Sequence, residues 1–391
     1  MRNIRLFQPS LDSKELDSIK KVFKKAWIGY GEQVQKFEKE WSKFFGVKHS
    51  IAVNSCTAAL HLALLCNNFK KGKKVLVPAI TFSATAAAVL YCGLIPVFVD
   101  INDNDLNMNV EDLKKKYTKD CVAVMPVHFG GHPCEMDKIM KWANRKDLVV
   151  IEDCAETCGG YYKGKKIGTW GHFGCFSFEE KKMMTTGDGG MIVTNNRSMA
   201  IKLKSLSFHG WDKDPLLRHK QRYLKNPKKS KKNLHWYYEI KQLGYKYNMN
   251  DLEASIGRVQ LKKLSFFNNS RIKFLKKYLL NLKKCKNLVS TFPYDLNRSS
   301  YWMFSIRSRN RDTLISFLKK NNISTSVHLM PLPLHPLYKK YKSKIPNALK
   351  VWKELITLPL HPHLKEKEIN YINRKLKEFS LKDKSNEMQK L

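Results

Sequence analysis

Short apolar runs alternate with amphipathic stretches along most of this chain. Ser50–Val53, Lys74–Pro78, Ile95–Asp100, Cys121–Val127, Leu148–Glu152, His172–Phe178 and Met191–Thr194 read as buried strands. Helical spacing falls between and before them. Leu11–Lys25 predicts a helix capped by Ser13, and Gln33–Phe45 predicts a second, with Val34, Phe37, Trp41 and Phe44 on its inner face. Ala58–Leu65 and a stretch from Thr81 to Tyr91 predict helices of small residues; Asn109–Lys116 and Met136–Arg145 predict two more. Strands alternating with helices imply an α/β fold, with a largely parallel sheet covered on both faces. In such sheets ligands bind off the carboxyl ends of the strands.

The pattern changes after Thr194. A helix to Ser205 is followed by a polar, basic and aromatic insert over 211–240. A long helix then begins near Asp251, with Leu252, Ile256, Val259 and Leu264 as its apolar face. The domain boundary is placed there: 1–250 as a large domain and 251–391 as a smaller α+β domain. Its expected strands are Tyr301–Ile306 and Ser324–His328, and its helices Asp312–Lys319 and Glu366–Phe379, with a frayed tail after Leu381.

Composition narrows the class. At 391 residues and 43% hydrophobic the chain can bury a large core. No apolar run is long enough to span a bilayer, and no apolar segment follows Met1–Arg5, so a cytoplasmic protein is expected. Nine scattered cysteines, with no zinc spacing, predict neither a disulfide framework nor a metal. The formal charge of +38 would admit nucleic acid or a membrane surface as partners. The lysines are spread over nearly every polar segment, including the 226–232 cluster, so neither partner is expected. The field would still favour phosphate-bearing substrates.

Four chemical groups then fall at strand ends. Asn54-Ser55-Cys56-Thr57 opens a helix whose first N–H groups can hold an anion. Phe82 follows one strand, and Asp153 follows Val149-Val150-Ile151. The stretch Phe176–Gly190 carries Ser177, then the adjacent Lys181 and Lys182, then a glycine-rich turn. By itself that last stretch reads equally as a surface hairpin. Together the groups offer an anion cradle, an aromatic plate, a carboxylate and an amine, which is the set that pyridoxal 5'-phosphate needs.

These motifs, in this order, resemble the DegT/DnrJ/EryC1/StrS family of sugar aminotransferases, which are fold-type I enzymes. The likeness runs from Gly29-Tyr30-Gly31 and Asn54–Leu60 through Val77–Phe82, Ile151–Glu156 and Ser177–Gly190. It continues through Gly244–Asp251 and His328–Tyr338 to Leu358–Pro362. The resemblance implies a seven-stranded, mostly parallel sheet and a smaller C-terminal domain. It implies that Lys182 is the Schiff-base lysine, that Asp153 pairs with the cofactor ring nitrogen and that Phe82 stacks on the ring. Ser55, Thr57, Ala58 and Ser177 would hold the phosphate, and Glu156 would lie at the cofactor. Lys246 and Asn248 would reach the neighbouring subunit's cofactor, making a homodimer. His209 and His328 would face the sugar, although each also reads as an ordinary structural histidine. The implied reaction moves an amino group from L-glutamate to a nucleotide-diphosphate ketosugar in amino-sugar biosynthesis. A sugar-nucleotide dehydratase or another pyridoxal-phosphate enzyme, or a non-catalytic basic nucleic-acid-binding or regulatory protein on the same fold, are the alternatives. Cys56 stands where the family has glycine, Glu156 where it has glutamine or histidine, and Glu179 where it often has histidine.

Overall fold

The first helix begins one residue earlier in its capping than its sequence suggests. In the computed structural model, which describes residues 3–212, 214, 236–297 and 300–388, the N-cap is Asp12 and not Ser13. The Asp12 carboxylate accepts from Lys14 N–H, and Glu15 reaches back to the Asp12 N–H, a reciprocal capping box that a serine one place later would miss. Helix α1 is then Ser13–Lys24 and α2 is Glu32–Phe45. On α2 the buried aromatics are Phe37, Trp41 and Phe45, while the expected Phe44 is only half-buried.

The alternation follows in order: β1 (His49–Val53), α3 (Cys56–Leu65), β2 (Lys74–Pro78), α4 (Ser83–Tyr91), β3 (Ile95–Val99), α5 (Val110–Lys116), β4 (Cys121–Val124), α6 (Met136–Arg145) and β5 (Val149–Cys154). A small ladder of β6 (Tyr161–Tyr162) and β7 (Lys165–Lys166) precedes β8 (Phe173–Ser177), β9 (Gly190–Thr194) and α7 (Arg197–Ser207). Seven strands form one sheet in the order β1-β9-β8-β5-β4-β2-β3. The pairs from β3 to β8 are parallel, and only β9 runs antiparallel to its neighbours. The expected α/β fold with a seven-stranded, mostly parallel sheet is therefore present. Every residue of β9 is buried, and α3 is buried almost all round, which is why both read as unbroken apolar or small-residue runs.

Next comes α8 (Asp251–Leu282), capped by an Asn250–Glu253 box. Its inner face is Ala254, Gly257, Leu261 and Leu264; of the expected set only Leu264 is buried, and Leu252, Ile256 and Val259 are half-exposed. The reason is close packing: Gly257 lies against Phe37 of α2, where a Cβ would come within 2.7 Å of the ring, so the helix turns its smallest side chains inward. The remaining elements are β10 (Val289–Ser290), β11 (Phe304–Arg307), α9 (Arg311–Lys320), α10 (Pro346–Glu354), β12 (Leu355–Leu358) and α11 (Glu366–Met388). Strands β10, β11 and β12 make an antiparallel sheet. The expected strand over Ser324–His328 is not formed. The segment's one bridge among the described residues is from Ser326 to Thr357 on the outer edge of β12, and Ile323 just before it bridges to Ile4. Helix α11 continues past the residue where fraying was expected. Most of the basic insert lies outside the described residues, as does the 226–232 lysine cluster. Among the described residues no helix is long and apolar enough to cross a membrane.

Candidate active site

Strands β1, β5 and β8 end on the same edge of the sheet, and so does the turn that leads into β9. A cavity of about 440 Å³ opens there. It brings together Ser55, Thr57, Phe82, Asp153, Glu156, Ser177, Lys182 and His328 from positions scattered along the chain.

The floor is Asp153, 3% exposed and in β5. Its Oδ2 accepts from the Thr85 hydroxyl at 2.8 Å and its Oδ1 from Ala155 N–H at 3.0 Å. Thr85 is held in turn by Thr81, just ahead of α4, at 2.7 Å. Burial pushes the Asp153 carboxyl up, opposed by these hydrogen bonds and by Lys182. A carboxylate has about four lone-pair sites, so two donors leave Asp153 capacity for a ring N–H. Glu156, equally buried, accepts from Gly130 N–H at 2.6 Å, and burial raises its carboxyl while Lys182 opposes the rise.

One wall is the start of α3. The Ser55 hydroxyl caps Ala58 N–H at 3.1 Å, leaving the first-turn N–H groups of Cys56 and Thr57 to face outward beyond the reach of any helical carbonyl. Cys56 is the first helical residue, and helical backbone suits any residue, so the turn does not need the glycine of the related sequences. What does need glycine is Gly190 on β9: a Cβ there would stand 2.6 Å from the Ser55 carbonyl. Ala58 itself borders a shallower neighbouring cavity with His61, Tyr245 and Tyr247.

Opposite stands Lys182. Its Nζ lies 4.0 Å from the centre of the Trp302 ring, and Trp302 stacks on Phe7 with centroids 4.7 Å apart. His328 meets both rings edge-on and bonds Thr357 through Nδ1 at 2.9 Å. Burial, then Lys182, lowers its pKa to about 4, so its imidazole is neutral at ordinary pH. Phe82, 60% exposed, stands at the mouth as the residue before α4.

Four expected residues are not brought to this cavity: Ala58, which borders the neighbouring one, and Lys246, Asn248 and His209. Lys246 Nζ donates to Asn248 Oδ1 at 2.9 Å and sits over Phe208, and His209 packs on Phe208 and Trp211. Asn248 nevertheless bridges to Val53 at the end of β1, which places this loop just outside the α3 start.

Sequence reasoning missed Trp302, Phe7 and the role of Thr85. The Thr81/Thr85 spacing was a readable signal for a hydroxyl pair, one just ahead of α4 and one in its first turn. Trp302 had a fainter one, in Gly130-Gly131. A Cβ on Gly131 would lie 2.1 Å from the Ser300 carbonyl, so the pair exists to let the 300–303 segment lie on it. A buried trio of His128, Glu152 and Cys154 lies behind the site. Glu152 already accepts from Gly168, Trp170 and Gly171 N–H groups and bonds His128, and so braces the loop before β8.

A seven-stranded sheet of this order, with a helix N-terminus, a buried aspartate and a lysine around one cavity, defines a pyridoxal-phosphate aminotransferase of fold type I. The sequence profile of the DegT/DnrJ/EryC1/StrS aminotransferase family matches residues 9–377, and the chain belongs to that family. It is 34% identical over 390 residues to the GDP-perosamine synthase of Escherichia coli O157:H7, covering 97% of this chain and 99% of that one. It is 36% identical over 373 residues to the spore coat polysaccharide biosynthesis protein SpsC of Bacillus subtilis, covering 93% of each. A Streptococcus pneumoniae protein described as a sugar aminotransferase superposes in its PMP form with a TM-score of 0.88 at 27% identity, over 97% of this chain and all of the other. The same protein has been solved in its PLP form. The expected class, an aminotransferase working through pyridoxal phosphate, stands.

Proposed function

We propose that this protein transfers an amino group from L-glutamate to the keto group of a nucleotide-diphosphate-linked sugar, in the synthesis of an amino sugar for a surface polysaccharide. The observation that carries the reading is that Asp153, Lys182 and the start of α3 line one cavity. Relatives named for perosamine synthesis and for spore coat polysaccharide support the sugar. When bound, pyridoxal phosphate supplies an electron-withdrawing ring that accepts the electron pair released at the substrate carbon.

The protein's own residues do the rest. Asp153, held by Thr85 and Ala155, keeps a proton on the ring nitrogen. The N–H groups and hydroxyls of Ser55, Thr57 and Ser177 hold the phosphate, with Ala58 ordering that turn. Phe82 would cover the cofactor ring and Glu156 would lie beside it, both lining the cavity. Lys182 would hold the cofactor through its Nζ, and the same amine would move the proton from the donor Cα. The neutral His328 bonds a sugar hydroxyl, whereas His209, packed on Phe208 and Trp211 outside the cavity, is not placed to do so in its own subunit. Lys246 and Asn248 serve the second subunit of a homodimer. The loop's position beside α3 but outside the cavity supports that role. Nine free cysteines support a reducing, cytoplasmic setting. The chain is read as two domains meeting at residue 250.

Absorption spectroscopy tests this. The purified protein should show the visible band of a lysine-bound cofactor, and Lys182→Ala should lose it. L-Glutamate should bleach the band, and one member of a panel of nucleotide ketosugars should restore it. A band unmoved by L-glutamate would reject that donor. A colourless protein that takes up no pyridoxal phosphate would reject the enzyme reading in favour of a basic binding module.

A further inference from the structure

Two adjacent lysines stand at the cavity, and the structure treats their amines differently. Lys181 Nζ turns to the carboxylates of Glu179 and Glu180, at 3.7 and 3.4 Å. Lys182 Nζ rests 4.0 Å from the centre of the Trp302 ring. The same indole donates its Nε1–H to the Lys181 backbone carbonyl at 2.7 Å. One side chain thus grips the main chain at the first lysine and the amine of the second.

Trp302 is firmly placed for this. It is 5% exposed, its backbone N–H donates to the Gly130 carbonyl at 3.0 Å, and its ring lies parallel to Phe7 within 2°. The preceding Ser300 hydroxyl accepts from Cys158 N–H at 3.0 Å and bonds Thr157 at 2.7 Å. The segment before β11 is therefore fastened to the loop after β5, the strand that carries Asp153. Lysine has a long flexible stem, and an aromatic face attracts its ammonium without supplying a carboxylate to lock it there.

We propose that Trp302 is a positioning residue that presents Lys182, and not Lys181, to the cofactor, by pinning the Lys181 carbonyl and seating the Lys182 ammonium on its ring. This rests on the proposed function. It also gives the Lys182 amine a seat beside the site while it is detached from the cofactor, so that it stays within reach of the donor Cα.

Cofactor-free protein is mixed with pyridoxal phosphate, reduced with borohydride and digested, and the label is located by mass spectrometry. The lysine amine adds to the aldehyde carbon, water leaves, and the borohydride hydride turns the C=N link into a stable secondary amine. Wild-type protein should carry label at Lys182 with Lys181 bare. Trp302→Leu should label Lys182 about tenfold more slowly and should show label at Lys181. Trp302→Phe keeps an aromatic face without the N–H and should fall between. Should the leucine variant not fold, the phenylalanine variant decides alone. Labelling of Lys182 at the wild-type rate with Lys181 bare in the folded variants overturns the inference and leaves the proposed function intact. Wild-type protein that takes no label at either lysine overturns both.

Discussion

Gly190 shows how one missing side chain builds a site. Its Cα lies against the Ser55–Cys56 peptide, with no room for a methyl group. Gly190→Ala must push β9 or the α3 start aside, at about 1–3 kcal/mol. The expected result is a lower melting temperature and a smaller rise on adding pyridoxal phosphate, both read by differential scanning fluorimetry. Gly187, also in the glycine-rich turn, has open space around it and φ +92, so alanine there strains only the backbone. His132 is a second residue with a readable consequence. It stacks on Phe292, and burial, then His128, lowers its pKa from 6.5 to about 4. Between those values the unfolded imidazole holds a proton that the folded one refuses. Stability is therefore lost as pH falls through that window, at up to ~1.4 kcal/mol per pH unit for this group. Denaturant titrations of wild type and His132→Gln at pH 7 and pH 5 should show the wild type losing its advantage at the lower pH. A constant gap would contradict the assignment.

At the scale of elements, the site depends on α4 meeting β5. The first turn of α4 supplies Thr85, and β5 supplies Asp153, so the orientation of the carboxylate is set by a helix–strand contact as well as by the Ala155 N–H in the aspartate's own turn. Thr85→Val keeps the shape and removes the donor. A hydrogen bond to a charged group is worth about 1.5–3 kcal/mol, so kcat/KM should drop tenfold or more while the melting temperature changes little. An unchanged kcat/KM would show that Asp153 is held by Ala155 alone. Helix α8 teaches a related point. Its apolar stripe was legible, but the face it buries is the small one, Ala254 and Gly257, because α2 presses against it with Phe37. Hydrophobicity ranks side chains by transfer from water; close packing ranks them by size.

For the whole molecule, a charge of +38 makes long-range attraction of a diphosphate a rate effect. Steady-state kcat/KM for the nucleotide sugar should fall several-fold between ~50 and ~300 mM salt, with kcat nearly unchanged; a flat response would leave the charge without a kinetic role. The shared-site proposal has its own test. Lys182→Ala and the double variant Lys246→Ala/Asn248→Ala should each be nearly inactive. Mixed, denatured together and refolded, they should recover activity in heterodimers that keep one intact site. No recovery would argue that each subunit's site is self-contained.

The alternation of strands and helices, the family motifs and most site residues were legible in the chain because they are local. A buried parallel strand is an apolar run, a helix start is a hydroxyl before small residues, and Asp153, Lys182 and the Ser55–Thr57 turn each sit at the end of such a run. The caps, the inner face of α8, and the lone bridge to β12 in place of a strand over Ser324–His328 were decided elsewhere, by what packed against them. Lys182 was separable from Lys181 in the sequence only by likeness to related chains. In the fold the two are separated by Trp302, whose place rests on Gly130 and Gly131 far away in sequence. Local pattern reports which residues are apolar and how they repeat; only the folded chain brings a distant ring within 4.0 Å of an amine.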